Sequence, residues 1–143
     1  MLREQRRVDL GKSDLVDLCY SCFGGDLTLK IGDADFSILT GGGVQILDFA
    51  VEFFSAARSL VQGKSSRITF AGMADELFLT LSGESVEVSS NYVDDTSEAP
   101  REKIVMASRA FLLKVLTDLT AKYPELKRNR DVKKAGSWVG LSI

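Results

Sequence analysis

Residues 44–62, VQILDFAVEFFSAARSLVQ, keep their polar side chains to positions 45, 48, 52, 55, 59 and 62, interrupted only by Arg58. Steps of three and four residues put these positions on one narrow stripe of a helix. The rest of that cylinder is apolar, so it needs cover on most of its circumference. A sheet on one side and a second helix on another provide it. Thr40 stands where a helix cap is wanted, and Gly63 follows as a stop.

The flanking segments supply the sheet. Residues 26–31 (DLTLKI) alternate with Leu27, Leu29 and Ile31 on one side, and 36–39 (FSIL) repeat the pattern with Phe36 and Ile38. GDAD between them is a turn sequence, so the pair reads as a β-hairpin. After the helix, strands are expected at 67–71, 76–81 and 85–93, joined by the short turn sequences GMAD and SGE. Ile68, Phe70, Leu77, Leu79, Leu81, Val86, Val88 and Tyr92 would face inward, while Thr69, Thr80, Glu87, Ser89 and Asn91 face water. One buried face and one wet face mark an antiparallel meander.

DDTSEA at 94–99 reads as an acidic loop. Pro100 suits the first turn of a helix over 100–123 that Pro124 stops. Residues 13–23 (SDLVDLCYSCF) fit either a short helix capped by Ser13 or Asp14 and ended by Gly24-Gly25, or a strand. The expected order is (α)ββαβββα, with a basic C-terminal tail over 125–143. This is an α+β class fold: one antiparallel sheet of about five strands, with two long helices packed on one face. The spacing leaves open a sheet in sequence order or one with the hairpin inserted. The 143 residues suit a single domain spanning 1–143.

Charge is sorted along the chain. Residues 9–98 carry fifteen Asp or Glu against five Lys or Arg, and residues 99–143 carry ten Lys or Arg against four Asp or Glu. A near-neutral total therefore hides an acidic body and a basic end. An acidic body repels nucleic acid and anionic membrane and attracts basic proteins. The opening MLREQRRVDLGKSD shows no secretory signal, and no run of eighteen apolar residues occurs, so a cytoplasmic protein that binds neither membrane nor nucleic acid is expected.

Catalytic signals are weak. The chain has no His, the commonest acid–base residue, and no nucleophile motif replaces it. Asp48 and Glu52 are a carboxylate pair four residues apart, and a solvated helix stripe explains them better than acid–base work. GKSS at 63–66 lacks the earlier glycine of a phosphate loop, because position 58 is Arg58. Gly41-Gly42-Gly43 is a turn without a cation to hold an anion. Asp33 and Asp35 imitate a calcium loop, but Ile38 and Val44 stand where its glycine and glutamate belong. Cys19 and Cys22 form a lone CxxC and read as small reduced residues. No cofactor, metal site or enzymatic activity is expected.

The sharper candidates are surface acids. Alternate connections of a meander fall at the same end of the sheet. That parity would gather Asp75, Glu76, Asp94, Asp95 and Glu98 into one patch, with Asp33 and Asp35 as further acids of the hairpin turn. A Lys- or Arg-rich partner would relieve their mutual repulsion and be steered toward them. Trp138, the only tryptophan, either anchors a partner or packs on the protein's own sheet. The basic run KRNRDVKK reads as solvated or folded back on the acidic body.

Residues 26–123, with the hairpin, the helix LDFAVEFFSAARSL, the meander ITFAGMADELFLTLSGESVEVSSNY and a final helix, resemble small bacterial immunity proteins of toxin–immunity pairs. The resemblance implies a cytosolic inhibitor that occludes the active site of one cognate toxin. The size, acidic balance and mixed α/β order also look like type III secretion chaperones, dimers whose apolar grooves hold an extended effector segment. Phe78 or the last helix would supply such a surface, and the pattern leaves a homodimer open.

Overall fold

The computed structural model describes residues 3–4, 23–39, 41 and 43–142. The expected segment at 13–22, both cysteines and Thr40 lie outside the described residues. Phe23–Gly25, expected to end that segment, are strand.

The elements run in the order β1 (Arg3–Glu4), β2 (Phe23–Gly25), β3 (Lys30–Ile31), β4 (Ala34–Asp35), β5 (Val44–Gln45) and α1 (Ile46–Val61). They continue with β6 (Ser66–Thr69), β7 (Glu76–Ser82), β8 (Ser85–Ser90), β9 (Ser97–Pro100) and α2 (Arg101–Lys122). A 3-10 turn (Pro124–Arg128) and α3 (Arg130–Trp138) complete the chain. The architecture is α+β, and all strand pairing is antiparallel.

Among the described residues the strands fall into separate sheets and not into one sheet of about five. The main sheet has four strands in the order β6-β7-β8-β9, and the others form a three-stranded β1-β2-β5 sheet and a separate β3-β4 pair. The fourth strand of the main sheet is Ser97–Pro100, within the stretch expected to be an acidic loop and a helix start. Ser-Glu-Ala-Pro holds no strong strand former, so its conformation comes from pairing with β8. Pro100 is tolerated there because β9 is an edge strand.

The hairpin forms as expected but turns more tightly. Lys30 pairs with Asp35 and Ile31 with Ala34, and a further bridge joins Leu27 to Ile38. Gly32 and Asp33 alone make the turn, with φ +58 at Gly32 and no positive φ at Asp33. Glycine first and a negative φ second is the II′ turn, whose twist matches paired strands.

α1 begins without a side-chain cap, at Gln45. At its other end Gly63 takes φ +81, Gly63 N–H donates to the Leu60 carbonyl at 3.0 Å and Lys64 N–H to that of Ser59 at 3.0 Å. This is a Schellman stop, which needs the left-handed residue that glycine supplies. Leu47, Phe49, Ala50, Phe53, Ala56 and Leu60 are buried. They meet Ile68, Phe70, Leu77, Leu79, Val86 and Val88 of the sheet and Leu112, Leu116 and Leu119 of α2 in one core. Phe49 is its hub, 5.5 Å from both the Phe70 and Phe111 rings and 5.6 Å from Phe53.

Of the two expectations for the basic stretch after residue 124, solvated or folded back, the chain folds back and packs on the core. Asn129 caps α3 by accepting from Asp131 N–H at 2.9 Å and Val132 N–H at 3.1 Å. Leu126, Val132, Ala135 and Val139 are buried, while Lys127, Arg128, Arg130, Lys133 and Lys134 remain exposed. No helix among the described residues is long and apolar enough to cross a membrane.

Candidate partner-binding site

The registers put the β6–β7 turn (70–75) and the β8–β9 loop (91–96) at one end of the main sheet. Asn91 ties them together. Its Oδ1 accepts from Glu76 N–H at 2.8 Å and its Nδ2 donates to the Ala74 carbonyl at 2.9 Å. Ser90 Oγ accepts from Val93 N–H at 3.0 Å, folding the start of the loop back on the strand.

The hairpin closes on the same end. Tyr92 Oη donates to the Phe36 carbonyl at 2.7 Å, and its ring stands edge-on to Phe70 at 6.4 Å. A Cβ at Gly32 would lie 2.6 Å from Ser97 Oγ, so the hairpin tip rests on the first residue of β9. Burial pushes the Tyr92 hydroxyl well above its ordinary range, and the negative charges of Asp75 and Asp35 push it further. Both carboxylates therefore act on one phenol.

Asp35 of the hairpin and Asp75 of the turn both act on the Tyr92 hydroxyl, Asp33 follows Gly32 at the hairpin tip, and Asp94 and Asp95 lie in the loop between β8 and β9. Asp35 is exposed, and the Ser37 side chain and backbone N–H, the latter at 3.0 Å, hold its carboxyl below the usual range. Among the described residues these five aspartates form no ion pair. Glu76 does, with its Oε1 3.6 Å from Arg67 Nη1. No group of three or more Asp, Glu, His or Cys among the described residues is placed to hold a metal ion.

Two expected members lie elsewhere. Glu98 sits inside β9, directly opposite Glu87 on the wet face of the sheet, instead of in the end loop. Trp138 packs on α1 rather than on the sheet or at the acidic end. Its ring stacks on Phe54 with centroids 6.0 Å apart and planes 3° from parallel, and its carbonyl accepts from Arg109 Nη1 at 3.1 Å.

Asp48 departs most from expectation. Its stripe position predicts a solvated carboxylate, yet the residue is only 3% exposed. Its Oδ2 accepts from Ala71 N–H at 3.2 Å, which pins the turn carrying Asp75 to the first turn of α1. Burial pushes its pKa up to about 6, against the pull of the Ala71 hydrogen bond, and Glu52 adds to the rise.

Asn91 and Tyr92 are the site residues that sequence reasoning missed. Alternation places Tyr92 inward but does not identify its hydroxyl's acceptor, 56 positions away. No family model, curated protein or solved structure matches the chain.

Proposed function

We propose that the protein is a non-catalytic binder that receives a basic protein partner on this acidic end. On the immunity-protein reading, the partner is a cognate toxin whose active site the acidic end covers. One observation carries the proposal. The three segments that carry Asp33, Asp35, Asp75, Asp94 and Asp95 are braced against one another by Asn91, Tyr92 and the Gly32–Ser97 contact, and among the described residues these aspartates form no ion pair. Like charges held together raise the free energy of the free protein, and a Lys- or Arg-bearing partner relieves that while being steered on approach. A nuclease toxin fits best in chemistry, because its phosphate-binding surface is basic.

The test compares the wild-type chain with a variant carrying Asn at positions 33, 35, 75, 94 and 95. Both are immobilised, exposed to lysate of the source cell at low and high salt, and the retained proteins are identified. A basic protein held by the wild type, weakened by salt and lost by the variant supports the reading. Equal retention by both chains refutes it.

The secretion-chaperone alternative has one feature in its favour, the apolar outer face of α2, where Met106 is 62% and Leu113 36% exposed. An extended effector segment recovered independently of the five aspartates would favour that alternative.

A further inference from the structure

Among the described residues Asp48 is the only charged side chain that is buried. The turn between β6 and β7 lies over it. Met73 N–H closes that turn by donating to the Phe70 carbonyl at 3.0 Å, and Gly72 takes φ +75, as a turn of this shape requires. Ala71 N–H, inside the turn, is given to Asp48 Oδ2 at 3.2 Å. The turn thus has two side-chain anchors. Asn91 holds its far end through the Ala74 carbonyl and Glu76 N–H, and Asp48 holds its near end through Ala71. Phe70 is fixed separately, buried and stacked on Phe49 with centroids 5.5 Å apart. Of the two anchors only Asp48 can gain or lose a proton.

A carboxylate out of water needs several donors or a cation to stay charged. The printed donor to Asp48 is one backbone amide. The elements around it bring no spare cation. Arg67 of β6 lies 3.6 Å from Glu76 of β7, Lys114 of α2 lies 3.0 Å from Asp118, and the turn itself carries Asp75. Glu52, on α1 like Asp48, is the charged group that acts on it, and it repels the charge. We propose that residues 71–73 are a proton-controlled lid, held shut over Asp48 when its carboxyl is protonated and opening far more often, about the Asn91 tether, once it is ionised. Opening lets water reach the carboxylate while Phe70 stays seated. The closed turn binds the proton more tightly than the open one, whose Asp48 is hydrated. Closure is therefore strongest below the ordinary carboxylate range and weakens as pH rises from 3.8 to about 6. A difference of about two units sets a limit of about a hundredfold on the change in opening. The lid needs none of the five surface aspartates and no partner, so it and the proposed function can fail separately.

Amide hydrogen exchange of the full chain, followed by NMR between pH 4 and pH 7.5 and corrected for intrinsic rates, reads the lid at Ala71 N–H. Protection there should fall ten- to a hundredfold across the range, and at each pH should stay below that of the β7–β8 amides. Asp48→Asn keeps an acceptor for Ala71 and should give a flat profile. The side-chain carboxyl carbon of Asp48 supplies a reading that needs no variant, and its shift should titrate near pH 6. Ala71 protection that does not change with pH overturns the inference. So does an Ala71 that matches the β7–β8 amides throughout, since it then opens only when the whole chain unfolds. An Asp48→Asn profile that still falls with pH, or a carboxyl that titrates in the ordinary range, overturns it as well.

Discussion

Replacing Asp48 by Asn should stabilise the protein at neutral pH, although Asp48 makes a tertiary hydrogen bond. The carboxyl is buried, and its pKa is raised from 3.8 to about 6. Between those values the folded state holds more of the proton than the unfolded chain does. Stability therefore falls as pH rises through that window. A shift of about two units corresponds to about 3 kcal/mol of penalty, fully developed above pH ~7. Asn removes the charge and keeps an oxygen that can accept from Ala71 N–H. The net expectation is a gain of about 3 kcal/mol at neutral pH, shrinking to about zero below pH ~4. With a urea dependence near 2 kcal/mol per molar, the midpoint should move up by about 1.5 M. Urea unfolding of both proteins at several pH values isolates the effect, because the other groups cancel in the difference. A pH-independent difference, or an Asn variant less stable at neutral pH, would show that Asp48 is held charged by a stronger interaction than the Ala71 hydrogen bond.

Asn91→Ala removes the two side-chain bonds from Asn91 to Glu76 N–H and the Ala74 carbonyl and leaves Asn91 N–H on the Glu76 carbonyl at 3.2 Å. It should lower stability by about 1–2 kcal/mol in urea unfolding and speed amide exchange at Glu76, and unchanged exchange there would show that the brace is not needed. Tyr92→Phe leaves the ring on Phe70 but deletes the hydroxyl donated to the Phe36 carbonyl. It should cost about 1 kcal/mol and raise exchange at Phe36 N–H, which donates to the Leu29 carbonyl, more than in the β7–β8 pair.

Elements whose side chains sort themselves locally are legible from the sequence. The stripe in 44–62 predicts a helix that forms over 46–61, and strict alternation predicts β7 and β8. Ser97–Pro100 has no such pattern, because its strand character is lent by β8. The C-terminal stretch conceals a legible signal. Val132, Ala135, Gly136 and Val139 follow a helical spacing, but the density of Lys and Arg around them reads as solvated chain. Local spacing carries the information there, and the surrounding charges mask it.

The acidic end divides the same way. Meander parity brings the 70–75 turn to the 91–96 loop without reference to any side chain, because alternate connections must share an end. The hairpin's place beside them depends on one phenol and one carbonyl far apart in sequence, so no local pattern reports it. Asp35 and Asp48 state the limit most sharply. Both stand at positions that local pattern makes polar, in a turn and on a helix stripe. One is exposed and held below the carboxylate range by Ser37, while the other is buried and raised to about 6. Near pH 5 the buried carboxyl is mostly protonated and the surface one remains charged. A moderate fall in pH therefore relieves the burial penalty under the 70–75 turn while Asp35 keeps its charge at the acidic end, a separation that follows from which carboxylate the chain covers and not from either one's place in the sequence.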